Sequence, residues 1–311
     1  MPEIVISEFM DLESVNATAK KFKVQYNPEL VDRPADLKKY LHNARALVVR
    51  NRTQVNADLL SAAPNLQVIG RLGVGLDNID LAECKKREIT VCPATGANDA
   101  AVAEWVICSA MMLLRGAFQS HSQMLAGEWP RQKSIGKETA GKTLGLIGFG
   151  GIARHTASLA RPLGLRIAAF DPYLSKDDSN WADTDRHETL GDLFQQSDLI
   201  SLHVPLTEET YHLVDAQAIS TMREGAIVIN AARGGVVDEK ALVDALKSGK
   251  LGGGALDVFE NEPLTGEAAS LFEGTPNLIL TPHIGGVTVE SNVRVSKVTM
   301  QNVCNVLEAS K

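Results

Sequence analysis

The chain is poor in the patterns that make cysteine chemistry. Its four cysteines, Cys84, Cys92, Cys108 and Cys304, form no C-x-x-C pair. This argues against a metal knot, a redox dithiol or a disulfide scaffold and for reduced, buried thiols. Long apolar runs are missing too. The longest, Trp105 to Leu114, covers ten positions and includes Ser109, which is too short to span a bilayer. The opening Met-Pro-Glu-Ile-Val-Ile has no basic flank and no signal-like apolar region, so a cytoplasmic protein is expected. Blocks of like charge are absent. Lys+Arg 31 against Asp+Glu 38 gives a formal net charge of −7, and such a mildly acidic, mixed chain suits neither nucleic acid nor a membrane surface as partner. No repeat, low-complexity tract or Pro-rich linker interrupts it.

What is present is an ordinary globular mix, 44% hydrophobic and 22% charged over 311 residues. That length allows one large or two ordinary domains with a sizeable core. Short β-branched runs alternate with longer amphipathic ones, the pattern of an α/β sheet with crossover helices. Strands are predicted at residues 3–9, 22–26, 46–50, 67–70 and 90–92, with helices such as 57–62 and 81–87 between them. Five strands and four crossovers make a small doubly wound domain. Near Asn98 and Asp99, both good helix caps, a stretch without Gly or Pro begins at Ala100 and runs to Gly116. This helix is expected to bridge two domains, with a looser segment at 127–131. A second series then places strands at 143–149, 166–170, 199–204, 226–230, 254–258 and 278–280. Six strands suit a dinucleotide-binding sheet. The last helix, 290–309, has no strand to join there and is expected to return to the first domain. The expected division is 1–98 plus 287–311, a flavodoxin-like substrate domain, and 99–286, a Rossmann domain.

The strand-helix turn at 144–153 contains Gly148-x-Gly150-x-x-Ala153. The first glycine permits the tight turn, the second lets a pyrophosphate approach the backbone, and the third position needs only a small residue. The following helix offers free N–H groups to phosphate. Asp171 stands 23 positions after Gly148, near the spacing of the acid that binds ribose hydroxyls. Its charge would repel a 2′-phosphate, so NAD is favoured over NADP. No metal is predicted, since His42, His121, His155, His187 and His212 show no ligand-like spacing.

Three further segments carry candidate chemistry. Arg233 follows one strand in Asn-Ala-Ala-Arg-Gly-Gly235, Glu260 and Glu262 follow another before Pro263, and His283 closes the last in Thr-Pro-His-Ile-Gly-Gly286. All lie at carboxyl ends of strands, the edge where open α/β sheets bind ligands. Read singly, each has a plainer role: a surface ion pair for Arg233, a helix-start acid for Glu262, a turn histidine for His283. Together with Arg-Leu-Gly-Val-Gly-Leu-Asp77, Val-Ala-Glu104 and His-Val-Pro-Leu-Thr207, in order along nearly the whole chain, they resemble the D-isomer-specific 2-hydroxyacid dehydrogenase family.

The resemblance implies two α/β domains with the active site in the cleft between them, and reversible NAD-dependent hydride transfer. It makes Arg233 the clamp on the substrate's carboxylate and carbonyl, a task that suits a guanidinium. His283 becomes the general acid–base and Glu262 its partner, with Glu260 the weaker candidate. A carboxylate beside an imidazole favours the charged ring and keeps a proton at hand for reduction; oxidation needs the neutral ring and should prefer alkaline pH. Cofactor contacts are implied at Gly148, Gly150, Gly151, Ile152, Asp171, Pro205, Ala231, Ala232, Asp257, Gly285 and Gly286. Pro205 would wall the adenine and Asp257 would bind the carboxamide, while His203 is expected to be structural.

For the substrate, the amides of Val74 and Gly75 resemble a carboxylate nest. Arg50 and Arg52, in Val49-Arg-Asn-Arg-Thr53, resemble the pair that meets a distal phosphate in phosphoglycerate dehydrogenases. The plainer alternative is a solvated loop pair. This run, the stretch from Cys92 to Asp99 and an end near residue 311 without a regulatory extension look most like short members acting on (S)-sulfolactate. Sulfur at C3 outranks the carboxylate, so a D-like centre is named S. Phosphoglycerate oxidation and glyoxylate or hydroxypyruvate reduction stay open. Formate dehydrogenases carry Gln where this chain has Glu262, which counts against that rival. An NAD-sensing corepressor is the alternative from another class. Homodimerisation is implied through the helix from Ala100 and the Trp129 segment.

Overall fold

Runs such as Ile4-Val-Ile and Ala46-Leu-Val-Val leave no polar side chain to face water, and both become fully buried strands. In the computed structural model, which describes residues 1–309, all strand pairs are parallel. Two units divide the chain: residues 1–98 with the segment from Thr288 onward, and residues 99–287.

The first unit contains β1 (Ile4–Ile6), β2 (Val24–Tyr26), β3 (Ala46–Val49), β4 (Val68–Arg71) and β5 (Thr90–Pro93). Their order is β2-β1-β3-β4-β5. The strand order therefore reverses between β1 and β3, where a crevice opens at the carboxyl edge of such a sheet. β1 is shorter than the predicted 3–9, because Ser7 and Glu8 turn their side chains to the loop after β3 and Phe9 is exposed. The helix Val289–Ala309 packs on β4 in this unit. Gly70 lets it come close: a Cβ there would stand 2.6 Å from Val303 Cγ2 and 2.8 Å from Thr299 Cγ2.

The second unit holds β6 (Thr143–Ile147), β7 (Arg166–Phe170), β8 (Asp185–Arg186), β9 (Leu199–Leu202), β10 (Ala226–Asn230), β11 (Leu251–Leu256) and β12 (Leu278–Leu280). The order is β12-β11-β10-β9-β6-β7-β8, which reverses between β9 and β6. Apolar clusters cover both faces. One gathers Leu193, Val228, Leu242 and Leu246. The other gathers Val106, Ala110, Leu144 and Ala157, where the helix Asp99–Arg115 lies against the helix Gly151–Ala160. The sheet has seven strands rather than six. β8 was not predicted because two polar residues carry no alternation to read. β11 begins three residues earlier than expected, since Gly252 and Gly253 hide its start. Among the described residues no helix is long and apolar enough to cross a membrane.

Gly70→Ala should lower the unfolding free energy by about 1–3 kcal/mol, as overpacking typically does. Urea denaturation checks this, and an unchanged midpoint would mean that the last helix yields without strain.

Candidate active site

In the second unit the loop after β6 is built around what glycine permits. Gly148 has φ +82°, and a Cβ there would lie 2.6 Å from the His203 carbonyl oxygen. Gly150 precedes the helix Gly151–Ala160 with no side-chain cap and open space where a Cβ would be. The first-turn N–H groups are thus left for an anion, in the arrangement that receives a dinucleotide pyrophosphate. Gly151 is packed against Asp99 and Ile152 is half-buried. Asp171, just after β7, accepts the Phe149 N–H at 2.8 Å on Oδ2 and the Tyr173 N–H at 2.9 Å on Oδ1. Each oxygen keeps a lone pair for a ribose hydroxyl, so these residues fit a dinucleotide. Pro205 follows β9 in an exposed loop. His203 Nε2 lies 3.0 Å from Ser201 Oγ, and burial pushes its imidazole down to about 4.

The loops after β10, β11 and β12 meet one another. Asn230, buried at the end of β10, accepts the Ala232 N–H at 3.0 Å and donates to the Arg233 carbonyl at 2.9 Å. These bonds fold Ala231, Ala232 and Arg233 into a tight turn. Arg233 Nη1 donates to the Ala232 carbonyl at 2.6 Å. Gly234 packs directly on the Phe259 carbonyl, where no Cβ would fit. This close approach sets the Arg233 turn beside the loop that carries Glu260 and Glu262.

Glu262 Oε1 accepts the Phe259 N–H at 3.1 Å, and Oε2 lies 2.8 Å from His283 Nδ1. Burial pushes the Glu262 carboxyl up. The bond to His283, that ring's charge, the Phe259 N–H and the Arg233 charge outweigh it, and the carboxyl sits below its ordinary value. With Nδ1 turned to Glu262, Nε2 is the ring nitrogen with no bond among the described residues. His283 itself has φ +56°, a left-handed backbone that non-glycine residues rarely adopt and that costs of order 1–3 kcal/mol. Glu260 points elsewhere: its Oε1 is 3.0 Å from His212 Nε2.

The loop bearing His283 is held by Asp257, 1% exposed at the end of β11. Oδ1 accepts Thr281 Oγ1 at 2.6 Å and the Ile284 N–H at 2.7 Å, and Oδ2 accepts the Gly285 N–H at 2.6 Å. A Cβ at Gly285 would stand 2.8 Å from Oδ2; Gly286 follows, half-buried. Three of four lone-pair positions on Asp257 are thereby filled by the protein. Asn230 and Thr281 were missed as loop holders in the sequence, although Asn at a strand end before a turn was a usable signal. Among the described residues, no cluster of His, Cys, Asp or Glu could hold a metal.

In the first unit, Gly73, with φ +143°, turns the chain after β4. The Val74 and Gly75 N–H groups there meet no protein acceptor among the described residues. Arg50 and Arg52 part company. Arg50 is half-buried and donates from Nη2 to Asn292 Oδ1 at 2.8 Å. Arg52 is exposed and pairs with Asp32.

Residues 107–285 match the family described as D-isomer specific 2-hydroxyacid dehydrogenase, NAD binding domain. An (S)-sulfolactate dehydrogenase of Chromohalobacter salexigens is 50% identical over 303 residues, 97% of this chain and 97% of that one. A hydroxypyruvate reductase of Thermotoga maritima is 38% identical, covering 93% of each chain. Among solved structures, a D-lactate dehydrogenase of Aquifex aeolicus complexed with NAD and lactic acid superposes with TM-score 0.84 at 27% identity, over 98% of this chain and 95% of that one.

Asp257→Asn should loosen the His283 loop, because an amide turns a donor toward a group that already donates. The expected loss is about 1–3 kcal/mol, with faster amide exchange at Ile284 and Gly285. Unchanged exchange at both would remove Asp257 from that role.

Proposed function

The chain belongs to the D-isomer-specific 2-hydroxyacid dehydrogenase family, and from that premise we propose that it oxidises (S)-3-sulfolactate to 3-sulfopyruvate. It is an NAD-dependent D-2-hydroxyacid dehydrogenase. The observation that carries the substrate choice is Arg50, half-buried after β3 with only Asn292 as side-chain acceptor among the described residues. An arginine withdrawn from water with donors to spare suits a strong anion at C3 of a three-carbon acid. The 50% identity to an (S)-sulfolactate dehydrogenase supports the same reading.

The residues divide the work by chemistry. Arg233 takes the carboxylate and the C2 oxygen, and the Val74 and Gly75 amides add donors for the carboxylate. His283 removes the hydroxyl proton at Nε2 as the C2–O bond becomes a carbonyl. The Glu262 carboxylate stabilises the imidazolium that results and holds the ring. Gly148, Gly150, Gly151, Ile152, Asp171, Pro205, Ala231, Ala232, Asp257, Gly285 and Gly286 hold the cofactor. For Asp257 the contribution is one remaining lone pair, since the His283 loop takes the others. NAD supplies the acceptor for the hydride that leaves C2. Arg52, engaged by Asp32, is left a lesser part than its neighbour. Four free cysteines suit a cytoplasmic setting.

The test is NADH formation at pH 9 with both enantiomers of 3-sulfolactate, D-3-phosphoglycerate, D-glycerate and D-lactate. (S)-3-sulfolactate should give the highest kcat/KM, and Arg50→Ala should lower it by about tenfold to a hundredfold, the worth of a charge-assisted bond. A preference for D-glycerate or D-lactate would overturn the substrate and favour a reductase of hydroxypyruvate type. His283→Ala should cut turnover by roughly 100-fold or more; wild-type rates would reject its role. No turnover on any acid would favour an NAD-sensing binding protein.

A homodimer is part of the same proposal. Met111, Met124, Leu125, Trp129 and Ile135 are exposed in the second unit, Leu125 at 77% and Trp129 at 76%, an apolar surface of the kind that a second copy covers. Light scattering should give twice the chain mass, and Trp129→Glu should shift it toward the monomer. A monomeric wild-type protein would remove this element.

A further inference from the structure

We propose that Glu8 is a positioning residue whose buried carboxylate sets the Arg50 loop, holding the guanidinium ready for the second anionic group of the substrate. The inference rests on the reading of Arg50 above and goes beyond it by naming what keeps that arginine in place.

Glu8 follows β1 and Arg50 follows β3, the two strands between which the order of the first sheet reverses. The pair therefore sits at the crevice where such a sheet binds ligands. Glu8 is 4% exposed. Its Oε1 accepts the N–H of Arg50 at 2.9 Å and of Thr53 at 3.0 Å, and its Oε2 accepts that of Arg52 at 3.1 Å. One carboxylate thus closes three backbone donors of a four-residue loop.

Other buried groups lock the same turn. Ser7 Oγ lies 3.0 Å from Thr53 Oγ1. Asn78 Nδ2 donates to the Thr53 carbonyl at 2.7 Å and to the Arg50 carbonyl at 3.3 Å. With the backbone fixed on both its N–H and C=O sides, Asn292 holds the tip of the Arg50 side chain at 2.8 Å.

A loop that only needed to turn would not require an acid here. Withdrawing a carboxylate from water is costly until its bonds offset the loss. The acids that cap helices in this same chain, Asp11, Asp80, Asp215 and Asp238, all keep contact with water, whereas Glu8 is almost wholly withdrawn from it. The charge has a second effect: burial pushes the Arg50 guanidinium down, and the nearby Glu8 carboxylate raises it. Glu8 thus supports a cation that the fold has partly desolvated. Its own oxygens face the loop N–H groups, which leaves the remaining Arg50 donors for an incoming sulfonate or phosphate.

The experiment compares kcat/KM for (S)-3-sulfolactate and D-glycerate in the wild type, Arg50→Ala, Glu8→Gln and Glu8→Asp. The ratio of the two substrates is the readout, because general damage to the fold lowers both values alike. Glu8→Gln should lower the ratio by about tenfold, through KM of the sulfonate, since displacement of a binding group by a fraction of an ångström is felt on this scale. Glu8→Asp keeps the charge on a shorter stem and should restore part of that loss; it serves alone if Glu8→Gln does not fold, and should then still fall below wild type. If Arg50→Ala lowers the ratio while both Glu8 variants keep it, Glu8 is merely structural and the inference is overturned. If Arg50→Ala itself keeps the ratio, the reading of Arg50 fails first, and Glu8 has nothing to position.

Discussion

The buried carboxylate of Asp257 is the constraint on which the candidate site of the second unit depends. It gathers Thr281, Ile284 and Gly285 around two oxygens and so bends the chain sharply after β12. His283 is carried at the apex of that bend in a left-handed conformation that an L-residue adopts only when its surroundings over-determine it. The three bonds to Asp257 supply that over-determination. His283 can then meet Glu262 at 2.8 Å without either side chain having to find the other from a mobile loop. Side-chain entropy that would oppose the pair in solution has already been spent in folding.

Close contacts at glycines do the rest. Gly234 against Phe259 and Gly285 against Asp257 are positions where a single Cβ would push two loops apart. Each joins the end of one strand to the end of another. The three candidate side chains follow three different strands, and such approaches help to keep their loops together. Gly148 plays the matching part between the loops after β6 and β9, where its missing Cβ admits the His203 carbonyl.

Much of this was legible in the order of residues. Alternating β-branched and amphipathic runs are a strong signal, so the long buried strands, the two sheets and the return of the last helix could be read directly. Glycine spacing marked the turn after β6, and the motifs around Arg233, Glu262 and His283 marked the loops that meet beyond β10, β11 and β12. β8 was invisible because two polar residues paired on one edge have no periodicity. β11 was read late because glycines carry no apolar signal even where the strand is buried. The clamps were harder still. Glu8, Asn78, Asn230 and Thr281 act through bonds to backbone atoms distant in sequence, and nothing in a one-dimensional pattern says which loop a polar side chain will close. Arg50 and Arg52 looked equivalent for the same reason; Asp32 and Asn292, which separate them, lie 20 and 242 positions away from their partners.

Glu8 and Asp257 are the same device used twice. Each stands just beyond a strand, is almost wholly buried and takes three donors from the loop of another strand. What differs is the side chain each loop carries. On the proposed reading, the Asp257 loop carries an imidazole whose task is the same for every 2-hydroxy acid, because it concerns only the C2 hydroxyl and its proton. The Glu8 loop carries a guanidinium, whose proposed task depends on what stands at C3. On the proposed reading, nothing in Arg233, Glu262 or His283 can distinguish a sulfonate from a hydroxyl three bonds from the reacting hydrogen. Discrimination must therefore come from a cation placed for the far end of the substrate. A lysine on a mobile stem would offer the charge but not the place. An arginine anchored at both backbone and tip offers both, and that is the case for treating a buried acid remote from the reacting atoms as part of the specificity of this enzyme.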